Sequence, residues 1–172
     1  MGFKDAVTQL NEIKKAGLIE DYAIGGAYAV NLYDVPQGTY DLDVFIIIRE
    51  KKDFVDLCEL YEHFRKEGAR IEKEYVFVGD LPVQFLANIG PLYDDAVKNA
   101  MTVDFHGVEA RFVDIEHLIV MLLTSFRPKD RLRIKGLLNK ADAAKLRELI
   151  ERFGNAENAL SQRYRAVLGR TD

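Results

Sequence analysis

Apolar residues Phe3, Ala6, Val7, Leu10 and Ile13 recur at helical spacing, and Gly17 follows as a stop. Residues 3–16 therefore read as an amphipathic helix. Tyr22-Ala23-Ile24 is a short strand, broken by Gly25-Gly26, and Ala27–Leu32 suits a helix. Pro36 and Gly38 mark Asp34–Thr39 as a loop. Asp41–Ile48 reads as a strand whose second half, Val44–Ile48, is apolar at every position. An unbroken apolar run is the pattern of a central strand covered on both faces.

Lys52–Lys66 reads as a helix closed by Gly68. Strands at 71–78 and 81–87 flank the Gly79-Asp80 turn and are expected to pair as a hairpin. Pro91–Ala100 is a short helix, and 101–105 with 108–113 form a second hairpin about His106-Gly107. Asp114 suits the N-cap of a helix running to about Phe126. Beyond Pro128 the chain reads as helices near 129–139, 142–153 and 156–168, capped at Asp142 and Asn155 and stopped at Gly154 and Gly169. The expected fold is α/β (α+β), a mixed sheet flanked by helices. Residues 1–126 form the core and 127–172 a helical segment packed on it.

Composition narrows the class. Hydrophobic residues make up 48% and charged residues 30% of 172 positions, ordinary for a soluble globular chain. Folding at this size buries roughly 70% of the unfolded surface, so no staple is required. Net charge of −4 argues against a broad electrostatic grip on nucleic acid, although a local basic run lies near residue 130. The one cysteine, Cys58, cannot form an internal disulfide and reads as a small apolar side chain on a helix. The N-terminus has no apolar signal core. The longest apolar run, Leu118–Leu123, falls short of the ~20 residues a membrane helix needs. A cytoplasmic protein is expected.

The chemistry concentrates between residues 24 and 45. Residues i and i+2 of a strand share a face, so Asp41 and Asp43 project together. Two adjacent carboxylates repel, more so when partly buried. A divalent cation between them relieves this, and hard oxygen ligands favour Mg²⁺ or Mn²⁺. Gly25-Gly26, between a strand and a helix start, lets backbone approach a phosphate closely. Taken singly, an Asp at a strand start is often a solvated turn residue, and a Gly-Gly pair often only a tight turn. The order of the parts, strand, Gly-Gly, helix, loop, Thr-x-Asp-x-Asp, buried strand, points instead to a metal–nucleotide site.

Gly25-Gly26 followed by Thr39-Tyr40-Asp41-Leu42-Asp43 resembles the signature of the DNA polymerase beta-type nucleotidyltransferases. Within these it is similar to the minimal type related to toxin components of abortive-infection toxin–antitoxin pairs. A second, looser match is Leu122-Leu123-Thr124-Ser125-Phe126-Arg127-Pro128-Lys129-Asp130. The resemblance implies metal-dependent transfer of a nucleoside monophosphate from a nucleoside triphosphate to an acceptor, RNA or protein among the options. It implies Asp41 and Asp43 as metal ligands and catalytic residues. It also implies nucleotide contacts from Gly25, Gly26, Thr39, Arg127 and Lys129.

Three positions depart from that pattern. Gln37 stands where the family has arginine, Leu122 where it has a helical lysine, and Gln84 where it has a third carboxylate. Glutamine offers a neutral carbonyl oxygen but cannot act as a base. One metal delivered with nucleotide is therefore expected, with Asp94, Asp95 or Glu109 as candidate replacement acids. An enzyme, a nucleotide-binding module without turnover, and an interaction protein of toxin–antitoxin type all remain open.

Other residues add less. His63, His106 and His117 show no zinc spacing and read as surface or hairpin positions. Arg127, Arg131 and Lys135 fall on one helical face, either solvated or in contact with phosphates. Tyr22, Tyr28, Tyr33 and Tyr40 read as core packing ahead of base stacking.

Overall fold

The computed structural model describes residues 2–33, 35–36, 38–48, 57–87, 89–155 and 159–169. Its elements in chain order are α1 (Phe3–Lys15), β1 (Asp21–Ile24), α2 (Gly26–Leu32), β2 (Leu42–Ile47), α3 (Cys58–Lys66), β3 (Arg70–Glu72), β4 (Tyr75–Val78), β5 (Leu81–Ala87), α4 (Pro91–Lys98), β6 (Met101–Phe105), β7 (Val108–Phe112), α5 (Ile115–Ser125), α6 (Pro128–Leu137), α7 (Ala143–Phe153) and α8 (Leu160–Val167). A 3-10 turn, Leu138–Lys140, joins α6 to α7. The first half of the helix expected at Lys52–Lys66 and the start of the one expected at 156–168 lie outside the described residues.

The strands form one seven-stranded mixed sheet in the order β3-β4-β5-β2-β1-β7-β6. β2 sits at its centre, antiparallel to β1 and parallel to β5. Leu42, Val44 and Ile46 occupy one face of β2, beside Val83 and Phe85 of β5. That face meets α1 and α3: Tyr22, opposite Ile46, donates its hydroxyl to Asn11 of α1, and Phe64 of α3 lies 5.5 Å from the Phe85 ring. Asp43 and Phe45 occupy the other face, beside Gln84 and Leu86, and Phe45 meets Tyr93 of α4 at 5.0 Å. Covering on both sides explains why Val44–Ile48 carries no polar alternation.

The span read as one strand at 71–78 is a hairpin, β3 and β4, turning at Lys73 with φ 54°. The three charged residues Glu72-Lys73-Glu74 interrupt the apolar run, and no glycine marks the turn.

α5 is the hub of the C-terminal part, with Ile115 through Leu123 all buried. Asp114 caps it, accepting from the His117 amide at 2.9 Å. α6, α7 and α8 pack around it. At its other end Phe126 is left-handed, and Arg163 of α8 donates to the carbonyls of Leu123 and Thr124 at 2.8 and 2.6 Å. Gly136 of α6 packs so closely on Val35 that a Cβ there would meet its methyls at 3.1 Å. That approach lays α6 beside the loop leading to Asp41. No described helix is long and apolar enough to cross a membrane.

Candidate active site

Asp41 lies just ahead of β2 and Asp43 is its second residue, so both head the central strand of the sheet. Their side chains share one cleft of about 540 Å³, together with Gly26, Gly38, Thr39, Tyr40 and Gln84. Across it stand Ser125, Arg127, Lys129, Asp130 and Arg133. An apolar wall of Phe45, Leu86, Ile89, Tyr93, Leu118, Met121 and Leu122 completes it.

The Gly-Gly turn is shaped around the acids. Gly25 donates its amide to the Asp43 carbonyl at 2.9 Å, which spends that donor within the fold. Gly25 lies behind the wall, where a Cβ would enter the Phe45 ring at 2.2 Å. Gly26 has φ +55°, and a Cβ on it would stand 1.9 Å from Asp43 Oδ2. Both positions therefore exclude a side chain, the second because the Asp43 carboxylate lies directly over it. Thr39 holds the approach to the acids by donating its hydroxyl to the Asp41 carbonyl at 2.9 Å.

Asp43 is partly buried, and its carboxyl is raised above the ordinary range, first by burial and then by the charge of Asp41. Arg133 and Lys129 act in the opposite sense but do not cancel it. Among the described residues no lysine or arginine pairs with Asp41 or Asp43. The pair thus carries negative charge facing an open cleft, with cations on the opposite wall rather than in contact.

The basic wall is built on Asp130, a carboxylate only 2% exposed. Its Oδ2 accepts from Ser125 Oγ at 2.7 Å and from the Arg127 amide at 3.0 Å, and Arg133 lies 3.7 Å from its Oδ1. This fastens the start of α6 to the end of α5 and aims Arg127, Lys129 and Arg133 at the cleft. Arg131, grouped with Arg127 in the sequence, instead lies over the Phe126 ring at 4.4 Å, and neither it nor Lys135 lines the cleft. Arg133 is a cleft cation the sequence reading missed.

Gln84 pairs with Asp43 across β2–β5 and lines the cleft beside it. None of the candidate replacement acids does: Asp95 is bound to His117 and Arg152, Glu109 sits opposite Asp104 on the β6–β7 hairpin, and Asp94 is on α4 outside the lining. Leu122 lines the cleft as an apolar residue, and Gln37 lies outside the described residues. Two carboxylates and a neutral amide oxygen fit one hard divalent ion whose remaining positions fall to water and phosphate. Among the described residues no group of three or more His, Cys, Asp or Glu forms a metal site.

Some expectations away from the cleft change. His117 is not a surface residue: it is 1% exposed, with Nδ1 on Asp114 at 2.8 Å and Nε2 on Asp95 at 2.9 Å. Cys58 is exposed rather than packed. Tyr22 is fully buried and Tyr33 donates its hydroxyl to the Val113 carbonyl, whereas Tyr40 is 74% exposed at the cleft rim.

The chain belongs to the family described as a nucleotidyl transferase of unknown function (DUF2204), whose model matches residues 3–164. No curated protein matches it. Among solved structures it is similar to an antigenic nucleotidyltransferase-like protein from Paracoccidioides brasiliensis, at 14% identity over 90% of this chain and 89% of that one, with a TM-score of 0.61. It is also similar to the antibiotic-resistance factor ANT(2'')-Ia in solution, at 15% identity over 95% and 97%, with a TM-score of 0.54. The crystal structure of ANT(2'')-Ia with adenylyl-2''-tobramycin aligns at 18% identity over 92% and 98%, with a TM-score of 0.53. At such identities the likeness is one of fold.

Proposed function

We propose that this protein is a metal-dependent nucleotidyltransferase that moves a nucleoside monophosphate from a nucleoside triphosphate to an acceptor hydroxyl. The observation that carries this reading is the opposition across one cleft of Asp41 and Asp43 to Arg127, Lys129 and Arg133. Asp41 and Asp43, with the amide oxygen of Gln84, would hold Mg²⁺ or Mn²⁺, which when bound supplies charge neutralisation at the phosphates. Arg127, Lys129 and Arg133 bind the triphosphate and stabilise the departing pyrophosphate. Gly26 leaves room for Asp43 to face the ion, and Thr39 fixes the loop that carries Asp41. Catalysis here is mainly positioning and charge compensation, which suits in-line phosphoryl transfer.

Gln84 can orient an acceptor hydroxyl by hydrogen bonding but cannot take its proton. That residue favours a second reading, a nucleotide-binding module with little or no turnover. The acceptor we propose is RNA or protein, because the cleft lining includes the exposed Tyr40 and Ile89, at 74% and 43%. An aminoglycoside suits it less. Among the described residues, the acids lining the cleft are Asp41, Asp43 and the already engaged Asp130, leaving no further acidic wall for a polycation.

Thermal-shift titration with each of the four nucleoside triphosphates, with and without Mg²⁺ or Mn²⁺, tests the reading. Metal-dependent stabilisation that disappears in Asp41→Asn and Asp43→Asn is expected; no response to any nucleotide overturns both readings. Labelled nucleotide appearing on RNA or protein then separates the enzyme from the binding module.

A further inference from the structure

We infer that Tyr75 is a positioning residue for Asp41, holding that carboxylate ready for the metal from two strands away. This rests on the reading of Asp41 as a metal ligand. The sheet register sets Tyr75 of β4 opposite Gln84 of β5, and Gln84 opposite Asp43 of β2. Residues paired across strands share a face, so these three side chains form one row on the side that Asp43 and Asp41 occupy. The Tyr75 hydroxyl lies 3.3 Å from Asp41 Oδ2. A carboxylate only accepts, so the phenol is the donor.

The contact matters because of where Asp41 stands. It precedes the ladder of β2, outside its register with β1 and β5. Its main chain is steadied by Thr39 through the carbonyl, but that bond does not orient the carboxylate. Among the described residues no cation pairs with Asp41, so the phenol of Tyr75 is what fixes the turn of its side chain. The bond engages Oδ2; among the described residues Oδ1 has no protein donor, and Asp41 lines the cleft, so Oδ1 is left to a ligand there. Tyr75 itself is rigidly placed, since its backbone belongs to the β4 ladder and it does not line the cleft. Gln84, between Tyr75 and Asp43, contributes no charge to steady the row, which leaves the orienting role to the tyrosine.

The test is Tyr75→Phe, which removes only the hydroxyl. Mn²⁺ is titrated into the protein in the presence of the α,β-methylene analogues of ATP, GTP, CTP and UTP in turn, which bind without transfer. Wild type, Asp41→Asn and Tyr75→Phe are compared by the metal concentration at half-maximal thermal stabilisation. The expected result is a five- to tenfold higher Mn²⁺ requirement in Tyr75→Phe, with the midpoint of the ligand-free protein unchanged and full stabilisation regained at saturating Mn²⁺. If wild type responds, Asp41→Asn does not, and Tyr75→Phe titrates like wild type, the role of Tyr75 is overturned while the site reading stands. A loss of ligand-free stability with an unchanged Mn²⁺ requirement would make the tyrosine merely structural and also overturns it. No wild-type response overturns the site reading and this inference with it.

Discussion

Gly26 shows how tightly the site is specified at single residues. Two constraints meet there: a left-handed backbone at φ +55°, and the carboxylate of Asp43 where a Cβ would go. Gly17 shares the first, at φ +75°, with nothing within 4 Å of its missing Cβ. Gly17→Ala should lose about 1 kcal/mol from backbone strain, and Gly26→Ala more than that because the Asp43 carboxylate must also move, read by denaturant unfolding. Only Gly26→Ala should also abolish metal-dependent stabilisation by nucleotide, because the carboxylate must swing away. Equal nucleotide responses in the two variants would mean that Asp43 is not placed by this turn. The Gly-Gly pair was legible in the sequence, but its reason was not. The pattern suggested amides open to phosphate, whereas one amide is spent on Asp43 and both Cβ positions are filled by β2 side chains.

Between elements, a charge network centred on the buried His117 joins α4, α5 and α7. His117 lies between Asp114 and Asp95. Lys145 reaches both Asp114 at 2.9 Å and Glu116 at 3.2 Å, and Arg152 reaches Asp95 at 3.1 Å. Burial alone would raise the Asp114 carboxyl, but bonds from His117 and Lys145 outweigh it and hold the group at about 2. Burial opposes charge on His117, but Asp114 and Asp95 together raise it above its ordinary value. The Asp114 contribution is therefore present above its unfolded value near 3.8 and lost as pH falls toward 2. The His117 contribution is complete below about 6.5 and lost as pH rises through the elevated folded value. The difference in melting temperature between wild type and His117→Gln should peak between about pH 4 and 6.5 and shrink on either side. Asp114→Asn should cost roughly 2 kcal/mol near pH 6, a fall of several degrees. A difference that instead grows as pH rises through about 6.5 would show that the histidine is buried neutral.

Elements and their caps were largely readable: the unbroken apolar run of β2, the Asp114 and Asp142 caps, and both hairpin turns at glycine. Relations across space were not. Nothing near His117 in the sequence announces Asp95 on another helix. The α6 cations were grouped wrongly because Arg127 was counted as helical. It is the extended N-cap, at ψ 160°, so the helical spacing starts at Pro128 and the i, i+4 pair on the cleft side is Lys129 and Arg133. The same geometry predicts that Asp130→Ala weakens nucleotide binding about tenfold without touching ligand, since it releases both the Arg127 amide and Ser125. Arg127→Ala, measured by the same thermal titration, should weaken it at least as much.

For the molecule as a whole, net charge and local charge point in opposite directions. The chain carries −4 overall, yet one wall of the cleft that holds Asp41 and Asp43 presents Arg127, Lys129 and Arg133. On the proposed reading a triphosphate would be attracted only at short range, by three cations in a cleft open to solvent, against a weakly repulsive background. Such attraction is screened by salt, with a Debye length falling from about 10 Å at 0.1 M to about 3 Å at 1 M. On the proposed reading a bound triphosphate would bridge the sheet and α6, so affinity should appear directly as thermal stability. At a hundred times Kd the gain is about 2.7 kcal/mol, or roughly 5–10 °C for a chain of this size. Raising NaCl from 0.1 to 1 M should remove about half of that shift, equivalent to roughly a tenfold weaker Kd. Lys135→Ala, on the outer side of α6, should leave the salt dependence unaltered, whereas Arg133→Ala should flatten it. A nucleotide response insensitive to salt in wild type would mean that the α6 cations do not meet the phosphates, and that the ligand lies along the apolar wall instead.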